Sequence, residues 1–338
     1  MSSLGIGVIG AGIMGADHAL NLHRFVRGAE VSRVSDLDHD RATALTDQIA
    51  GAKPTADPVA LVHDDAVDAV LIASADATHA ALVQECLAAR KPVLCEKPLA
   101  PTAEECRGLV EAERAAVGEG VPLVSVGFMR RFDPGYTEMR DRLRSGAVGT
   151  PVLVHCVSRG LAAPNATSEL SITGSAVHEF DTVPWLLGSP ITAVSWHAPR
   201  SVTLRGTLQD PQVLLLHSAD GVLTTVEVFL NAGYGYDIRC ELVGTQGTVS
   251  LAEPVRTVVD THLARGTAYA ADWRPRFADA YRLQLQAWVD ATLAGTPTPL
   301  ATADEGWRAT LVAETAISAM HAGDGRAVAV PTRPAVAP

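Results

Sequence analysis

The sequence carries no surplus of basic residues, no paired-cysteine motif and no long apolar run, and each absence excludes a class of function. Its formal net charge is −11, whereas nucleic acid or an anionic membrane as main partner needs a dense basic face. An anionic small ligand stays open, because one helix N-terminus binds phosphate even on an acidic protein. The five cysteines (Cys86, Cys95, Cys106, Cys156 and Cys240) form no CxxC pair. An odd number at irregular spacing reads as free thiols in a reducing cytosol, packed as small hydrophobes. His18, His23 and His39 have no metal-ligand spacing to a cysteine or acid, so no metal is expected. There is no stretch of about 18 apolar residues to span a membrane. The N-terminus runs into a strand pattern without a basic leader, so a cytoplasmic protein is expected.

What is present is a chain of 338 residues, 47% apolar and 19% charged, enough for two well-buried domains. Over the first 127 residues short apolar runs alternate with helical patterns. Leu4–Ile9, Glu30–Ser35, Ala69–Ala73, Val93–Cys95 and Leu123–Val126 read as strands. Helices are expected at Ala16–Val26, Asp40–Ala50, Asp57–His63 and Thr78–Ala89, with another opened by a Thr102/Glu105 capping box and running to Val117. Such alternation means an α/β domain, a doubly wound parallel sheet with helices on both faces. After a helix from Asp133-Pro134 to Gly146, strands follow one another: Val152–Ser158, Val194–His197, Val213–His217, Val222–Leu230, Ile238–Val243 and Thr248–Leu251. A helix near Ser175–Leu187 interrupts them, and helices at Phe277–Leu293 and Ala303–His321 come last. The tail from Arg333 reads as a frayed end. The second domain, 128–338 against 1–127, is therefore expected to be α+β with a large, mostly antiparallel, open-faced sheet, its final helices able to pack back on the first domain. Such an open face commonly dimerises.

Gly10-Ala-Gly12-Ile13-Met14-Gly15 is a GxGxxG placed after the first strand and before the first helix. Gly10 allows the tight turn, Gly12 lets the backbone approach a pyrophosphate, and Gly15 lets helix and strand pack closely. The helix N-terminus offers N–H groups to the phosphates. Asp36, 21 residues beyond Gly15 at the end of the second strand, is placed to accept from the adenosine ribose 2′-OH. The same carboxylate repels a 2′-phosphate, so NAD is expected over NADP. The loop Ser74–Ala77 belongs beside the nicotinamide, with the backbone of Ser74, Ala75 and His79 in reach of cofactor and the His79 imidazole reading as a helix cap.

Four further segments carry a resemblance: Glu96-Lys97-Pro98, Gly127-Phe-Met-Arg-Arg131, His178-Glu-Phe-Asp181 and Tyr234-Gly-Tyr-Asp-Ile238. With them the chain resembles the Gfo/Idh/MocA oxidoreductases from about Ile6 to Ala316, and within them the inositol dehydrogenase branch. The resemblance implies a Rossmann domain followed by an open-faced sheet domain, assembled as a homotetramer or dimer through the open sheet. It implies Lys97 and His178 as catalytic residues. Chemistry suits both: oxidising a secondary alcohol needs a base for the hydroxyl proton, and burial beside a cofactor lowers a lysine's pKa. Glu96 and Lys97 would also meet the cofactor. For a polyol substrate the candidates are Lys97, His155, His178, Asp181, Asn231 and Tyr236, with Asp237 beside them. Arg130 and Arg131 read as structural ion pairs.

The chain departs from the family where an aspartate normally precedes the catalytic histidine by four residues; here that position is Gly174. The branch's His-Arg-Asn appears as Ser158-Arg159-Gly160. The expected activity is NAD-dependent oxidation of a ring hydroxyl of a cyclitol or related cyclic polyol to the ketone. Two alternatives stand beside it, a sugar dehydrogenase of the same family and a non-catalytic NAD-binding regulatory protein.

Overall fold

Apolar residues set the first strand, β1 (Leu4–Ile9), whose side chains are buried on both faces as in a sheet covered by helices on each side. In this computed structural model residues 3–202, 208–252 and 257–332 are described; the expected frayed tail lies outside them. After β1 come α1 (Ile13–Phe25), β2 (Ala29–Ser35), α2 (His39–Thr46), β3 (Lys53–Thr55), α3 (Pro58–Val62), β4 (Ala69–Ile72), α4 (Asp76–Ala88), β5 (Val93–Cys95), α5 (Ala103–Val117) and β6 (Val124–Val126). The capping box forms at α5: Thr102 accepts from the Glu105 N–H while Glu105 reaches back to Thr102.

A 3-10 turn, Met129–Phe132, precedes α6 (Pro134–Arg144), where Asp133 caps the first turn and Pro134 fills a position needing no donor. Then follow β7 (Pro151–Arg159), α7 (Ser168–Leu170), a π turn (Ser171–Ala176) and α8 (Val177–Leu187), which stops at Gly188 in the left-handed conformation, φ 69°. The remainder is β8 (Ile191–His197), β9 (Gln212–Ser218), β10 (Leu223–Phe229), β11 (Asp237–Gly244), β12 (Gly247–Ser250), the hairpin β13 (Val259–Thr261) and β14 (Ala264–Gly266), α9 (Trp273–Arg276), α10 (Ala278–Ala294), β15 (Ala301–Thr302), α11 (Ala303–Ala322) and β16 (Val328–Ala329).

The first sheet has the order β15-β6-β5-β4-β1-β2-β3, parallel throughout except for the edge strand β15. The second has the order β12-β11-β7-β10-β9-β8-β16, antiparallel except for the β7–β10 pair. Strands β3, β15 and β16, two or three residues each, are too short to carry a periodic signal of their own.

The chain divides into two compact units, Met1–Phe132 with Asp279–Thr310, and Asp133–Ala278 with Leu311–Pro338. The first unit extends past residue 127 because Phe132 packs against its core. It also takes back most of α10, whose Leu285, Trp288 and Val289 recur at helical spacing and pack with Leu22 of α1 and with Ile6 and Leu94 of the sheet. In the second unit β7, from Leu153 onward, and β10 alternate strictly. Val154, Cys156, Ser158, Thr224, Val226 and Val228 are buried, and their neighbours are half-exposed on the other face.

Candidate active site

The glycine loop in the first unit is built by three different constraints. Gly10 adopts φ +99°, and a Cβ there would lie 2.5 Å from the Ala73 carbonyl oxygen at the end of β4. A Cβ on Gly15 would collide with the Gly10 carbonyl oxygen, so this residue sets how closely α1 approaches the turn. Gly12 is different: it is the α1 N-cap, has no side chain to cap the helix, and a Cβ there would meet nothing within 4 Å. The open side of Gly12 and the start of α1 form an anion cradle that the fold itself does not fill. Ile13, 61% exposed, and Met14 begin the helix beside it. Asp36 lies at the end of β2, where Oδ2 accepts the Ala11 N–H at 2.7 Å and Oδ1 the Asp38 N–H at 2.8 Å. A carboxylate has about four acceptor sites, so Asp36 shapes the loop and still has capacity for ribose hydroxyls. The set therefore fits a dinucleotide whose ribose carries free hydroxyls.

At the end of β4, Ser74 Oγ and Thr78 Oγ1 lie 2.7 Å apart, and Thr78 also donates to the Ala75 carbonyl. His79 corrects the expectation of a capping group. Its ring is fully buried, with Nδ1 2.8 Å from the Pro98 carbonyl oxygen and Nε2 3.2 Å from that of Ser74. It ties the loop after β4 to the loop after β5.

The loop after β5 holds Lys97. Its side chain is half-buried, and burial lowers its pKa below the ordinary lysine value; Glu96 and Asp76 pull upward and Arg130 adds to the lowering. Glu96, expected to meet the cofactor, has its carboxylate engaged inside the unit. Oε1 accepts from His18 Nε2 at 2.7 Å, and Oε2 accepts the Lys97 N–H at 3.2 Å. Burial works to raise the Glu96 pKa, but the His18 hydrogen bond and the nearby positive charges hold it below the usual carboxylate range. His18 is the residue that sequence reasoning passed over. Its only signal was position: three residues after Gly15, it falls on the face of α1 turned to the sheet. Arg131 pairs with Glu305 at 2.9 Å, an ion pair as expected.

In the second unit His178 and Asp181 lie three residues apart on α8, both buried, with Glu179 and Thr182 buried on the same helix. The π turn before α8 carries Gly174, and turns of this kind often mark functional positions. A Cβ at Gly174 would meet only Leu170, at 3.6 Å and 3.9 Å, so the backbone there has room for a larger residue. Ser175 of the same turn reaches Ser158 of β7, Oγ to Oγ, at 3.0 Å.

One expected substrate residue is corrected, and a second has part of its amide already engaged. His155 is three residues before Ser158 in one strand, an odd offset, so it points to the opposite face of the sheet, where Nδ1 is 2.9 Å from Thr225 Oγ1. The side chain turned toward the helical layer is Ser158. Asn231 has its amide engaged in holding a loop: Oδ1 accepts from the Ala163 N–H and Nδ2 donates to the buried Asp210. Asp237 is likewise engaged, by Arg239 at 2.7 Å and by the Tyr234 hydroxyl, and these partners hold its pKa low against the opposing effect of burial. Tyr236 stays a candidate, half-buried and edge-on to Phe277. All five cysteines are free and buried. Among the described residues no cluster is placed to hold a metal ion, and no helix is long and apolar enough to cross a membrane.

Comparison with known proteins matches both parts of this arrangement. Residues 4–124 fit the model of the oxidoreductase family with an NAD-binding Rossmann fold, and residues 136–250 fit the GFO/IDH/MocA C-terminal domain. The chain is 52% identical over 319 residues to inositol 2-dehydrogenase 2 of Paenarthrobacter aurescens, covering 94% of this chain and 96% of the relative. It is 50% identical over 335 residues to inositol 2-dehydrogenase 1 of Saccharopolyspora erythraea, covering 98% of each. Among solved structures, myo-inositol dehydrogenase of Lactobacillus casei in complex with NAD(H) and myo-inositol superposes with a TM-score of 0.93 at 30% identity, covering 99% of this chain and 98% of that one.

Proposed function

The chain belongs to the GFO/IDH/MocA oxidoreductase family, and from that premise we propose that it oxidises one ring hydroxyl of an inositol-type cyclitol to the ketone with NAD as acceptor. The observation that carries the reading is Lys97. It stands at the C-terminal end of β5, in the sheet whose β1 ends in the glycine loop, and its pKa is lowered by burial. A lysine in that state is neutral at a lower pH than a solvated one and serves as a base.

The bound nicotinamide supplies the hydride acceptor. The residues of the chain do the rest. Gly12 and the α1 N-terminus hold the pyrophosphate, Asp36 accepts from the ribose, and His79 fixes the loops carrying Ser74 and Lys97. Lys97 Nζ takes the proton of the reacting hydroxyl as hydride leaves the same carbon, so alcohol becomes ketone and amine becomes ammonium. His178 acts as a second proton carrier, and Asp181 and Tyr236 accept from or donate to the neighbouring ring hydroxyls. Ser158 stands where the related branch carries a histidine and Gly174 where it carries an aspartate, and with Ser158 paired to Ser175 the enzyme tunes its choice of stereoisomer at these positions.

The test is NADH formation with NAD or NADP against myo-inositol, its stereoisomers and common aldoses. Turnover on an inositol with NAD is the expected result. Turnover on aldoses alone moves the enzyme to sugar oxidation. Tight NAD binding with silence across the panel refutes the dehydrogenase reading in favour of a regulatory protein.

The same reading includes self-association in the cytoplasm. The half-exposed face of the second sheet carries Leu153, Val157, Val213, Leu215, Leu223 and Phe229 interleaved with His155, Arg159, Thr225 and Glu227, a mixed surface suited to a second copy of itself. Light scattering of Leu215→Arg should give a smaller species than the unaltered protein; equal masses refute this assignment.

A further inference from the structure

The interior of the first unit contains an ion-pair arrangement that the reaction as written does not use. His18, 1% exposed, donates from Nε2 to Glu96 Oε1, and its other ring nitrogen, Nδ1, is buried without a hydrogen-bond partner. The Tyr281 ring packs edge-on against it, centroids 5.5 Å apart. With Nδ1 facing no acceptor, the ring offers one donor, and that donor is aimed at Glu96. The carboxylate is closed on its other sides as well. Oε2 accepts the Lys97 backbone N–H, and Gly127 lies so near that a Cβ there would stand 2.9 Å from Oε1. Glu96 is thus fixed in one orientation, directly before the residue that takes the substrate proton.

We propose that His18 is a positioning residue for Lys97, acting through Glu96: its Nε2–H keeps the Glu96 carboxylate ionised and locked beside the Lys97 ammonium, so this pair governs when Lys97 is free to accept a proton. The inference rests on Lys97 being the base, and it adds a residue on α1 to the machinery. The titratable and charged groups that face Lys97 are Glu96, Asp76 on α4 and Arg130 in the 3-10 turn; those that face Glu96 are His18 and Lys97. Removing the His18 donor destabilises the buried carboxylate, weakens the negative charge beside Lys97, and makes the amine neutral at lower pH.

The sequence makes the test direct, because it contains three lysines, Lys53, Lys91 and Lys97. Protein grown on lysine labelled with 13C at the ε carbon gives one signal for each, and the pH titration of each is followed by NMR without cofactor or polyol. Lys97→Arg assigns its signal. In His18→Leu the Lys97 midpoint should fall by roughly half a unit to one unit, as one neighbouring charge is partly lost, while Lys53 and Lys91 hold still. Glu96→Gln should move it the same way, and His18→Gln, which keeps an amide donor, should return it toward the unaltered value. The acid limb of kcat/KM against pH on the best cyclitol should shift in parallel. A Lys97 midpoint that stays in place or rises in His18→Leu overturns the proposal. Should His18→Leu not fold, His18→Asn, whose shorter amide falls short of Glu96, carries the same expectation. The NMR arm needs no turnover, so failure of the dehydrogenase reading and failure of this one are told apart.

Discussion

Replacing Gly12 and Gly15 separately by alanine should divide ligand binding from folding within one hexapeptide. At Gly12 the backbone has φ −70°, which alanine adopts freely, and the new Cβ meets nothing within 4 Å. A Gly→Ala change at an unstrained position stabilises by about 0.4–1 kcal/mol through the unfolded chain, offset by about 0.5–1 kcal/mol because alanine is a poorer N-cap than glycine. Thermal stability should therefore change by no more than a few degrees. The methyl would occupy the space through which a pyrophosphate approaches, so NAD affinity should fall at least tenfold, about 1.4 kcal/mol. At Gly15 the opposite holds, because its Cβ would collide with the Gly10 carbonyl oxygen and α1 must move. Overpacking of this kind costs about 1–3 kcal/mol, which for a domain of ordinary size lowers Tm by roughly 2–12 °C. Differential scanning fluorimetry of both apo-proteins, with NAD titration by calorimetry, reads the two effects. Gly12→Ala melting as low as Gly15→Ala, or binding NAD unimpaired, would refute the assignment of Gly12 to the ligand.

Gly174→Asp should fold, since its Cβ meets only Leu170 at ordinary contact distance. A charge-assisted hydrogen bond regained by His178 should raise kcat/KM on an inositol about tenfold; an unchanged or lower value would show that this site does not need the acid. His155→Ala should leave the KM for the polyol within about twofold, while Ser158→Ala changes it more, and steady-state kinetics with equal effects of the two would contradict their placement on opposite faces. The Cys86 thiol is pushed up to about 12 by burial, with Lys91 opposing the rise and Glu85 adding to it, and burial raises the Cys95 thiol well above its ordinary value too. Alkylation with iodoacetamide at about pH 8 should therefore leave these two unmodified in the native protein and label them once it is denatured; rapid native labelling would mean they are not buried. Lys97→Ala should lower kcat by on the order of 100-fold or more, as for loss of an acid–base group, with NAD binding retained.

Much of the fold was legible because its signals are local. The capping box at Thr102 and Glu105, the Asp133-Pro134 helix start and the Gly146 stop each specify their own backbone, and the apolar runs of β1, β4 and β5 are short, continuous and bounded as buried parallel strands must be. What was not legible depends on partners distant in sequence. The return of α10 to the first unit was open to the sequence but not fixed by it: it follows from Leu285, Trp288 and Val289 meeting Leu22, and a helical apolar stripe by itself does not say which of two cores it will join. The π turn at Ser171–Ala176 has no composition that separates it from an ordinary helix.

The site divides along the same line. The glycine loop, Asp36 and the residues around Lys97 sit at strand ends where motif and topology coincide, so their spacing carries their role. His155 fails for a simple physical reason: in a strand, side-chain direction alternates with every residue, and resemblance of residue type does not fix the face. Its neighbour three positions on, Ser158, occupies the side that the helical layer covers. Asn231 shows a different limit, because an amide suited to a polyol is equally suited to a buried carboxylate, and Asp210 takes one of its donors. His18 is the converse error. A histidine on the apolar face of a helix reads as filler until the fold shows that Glu96, 78 positions away, stands 2.7 Å from its ring. A buried carboxylate needs a donor, and a Glu placed immediately before a base already implies that some residue, not named by any motif, must hold it.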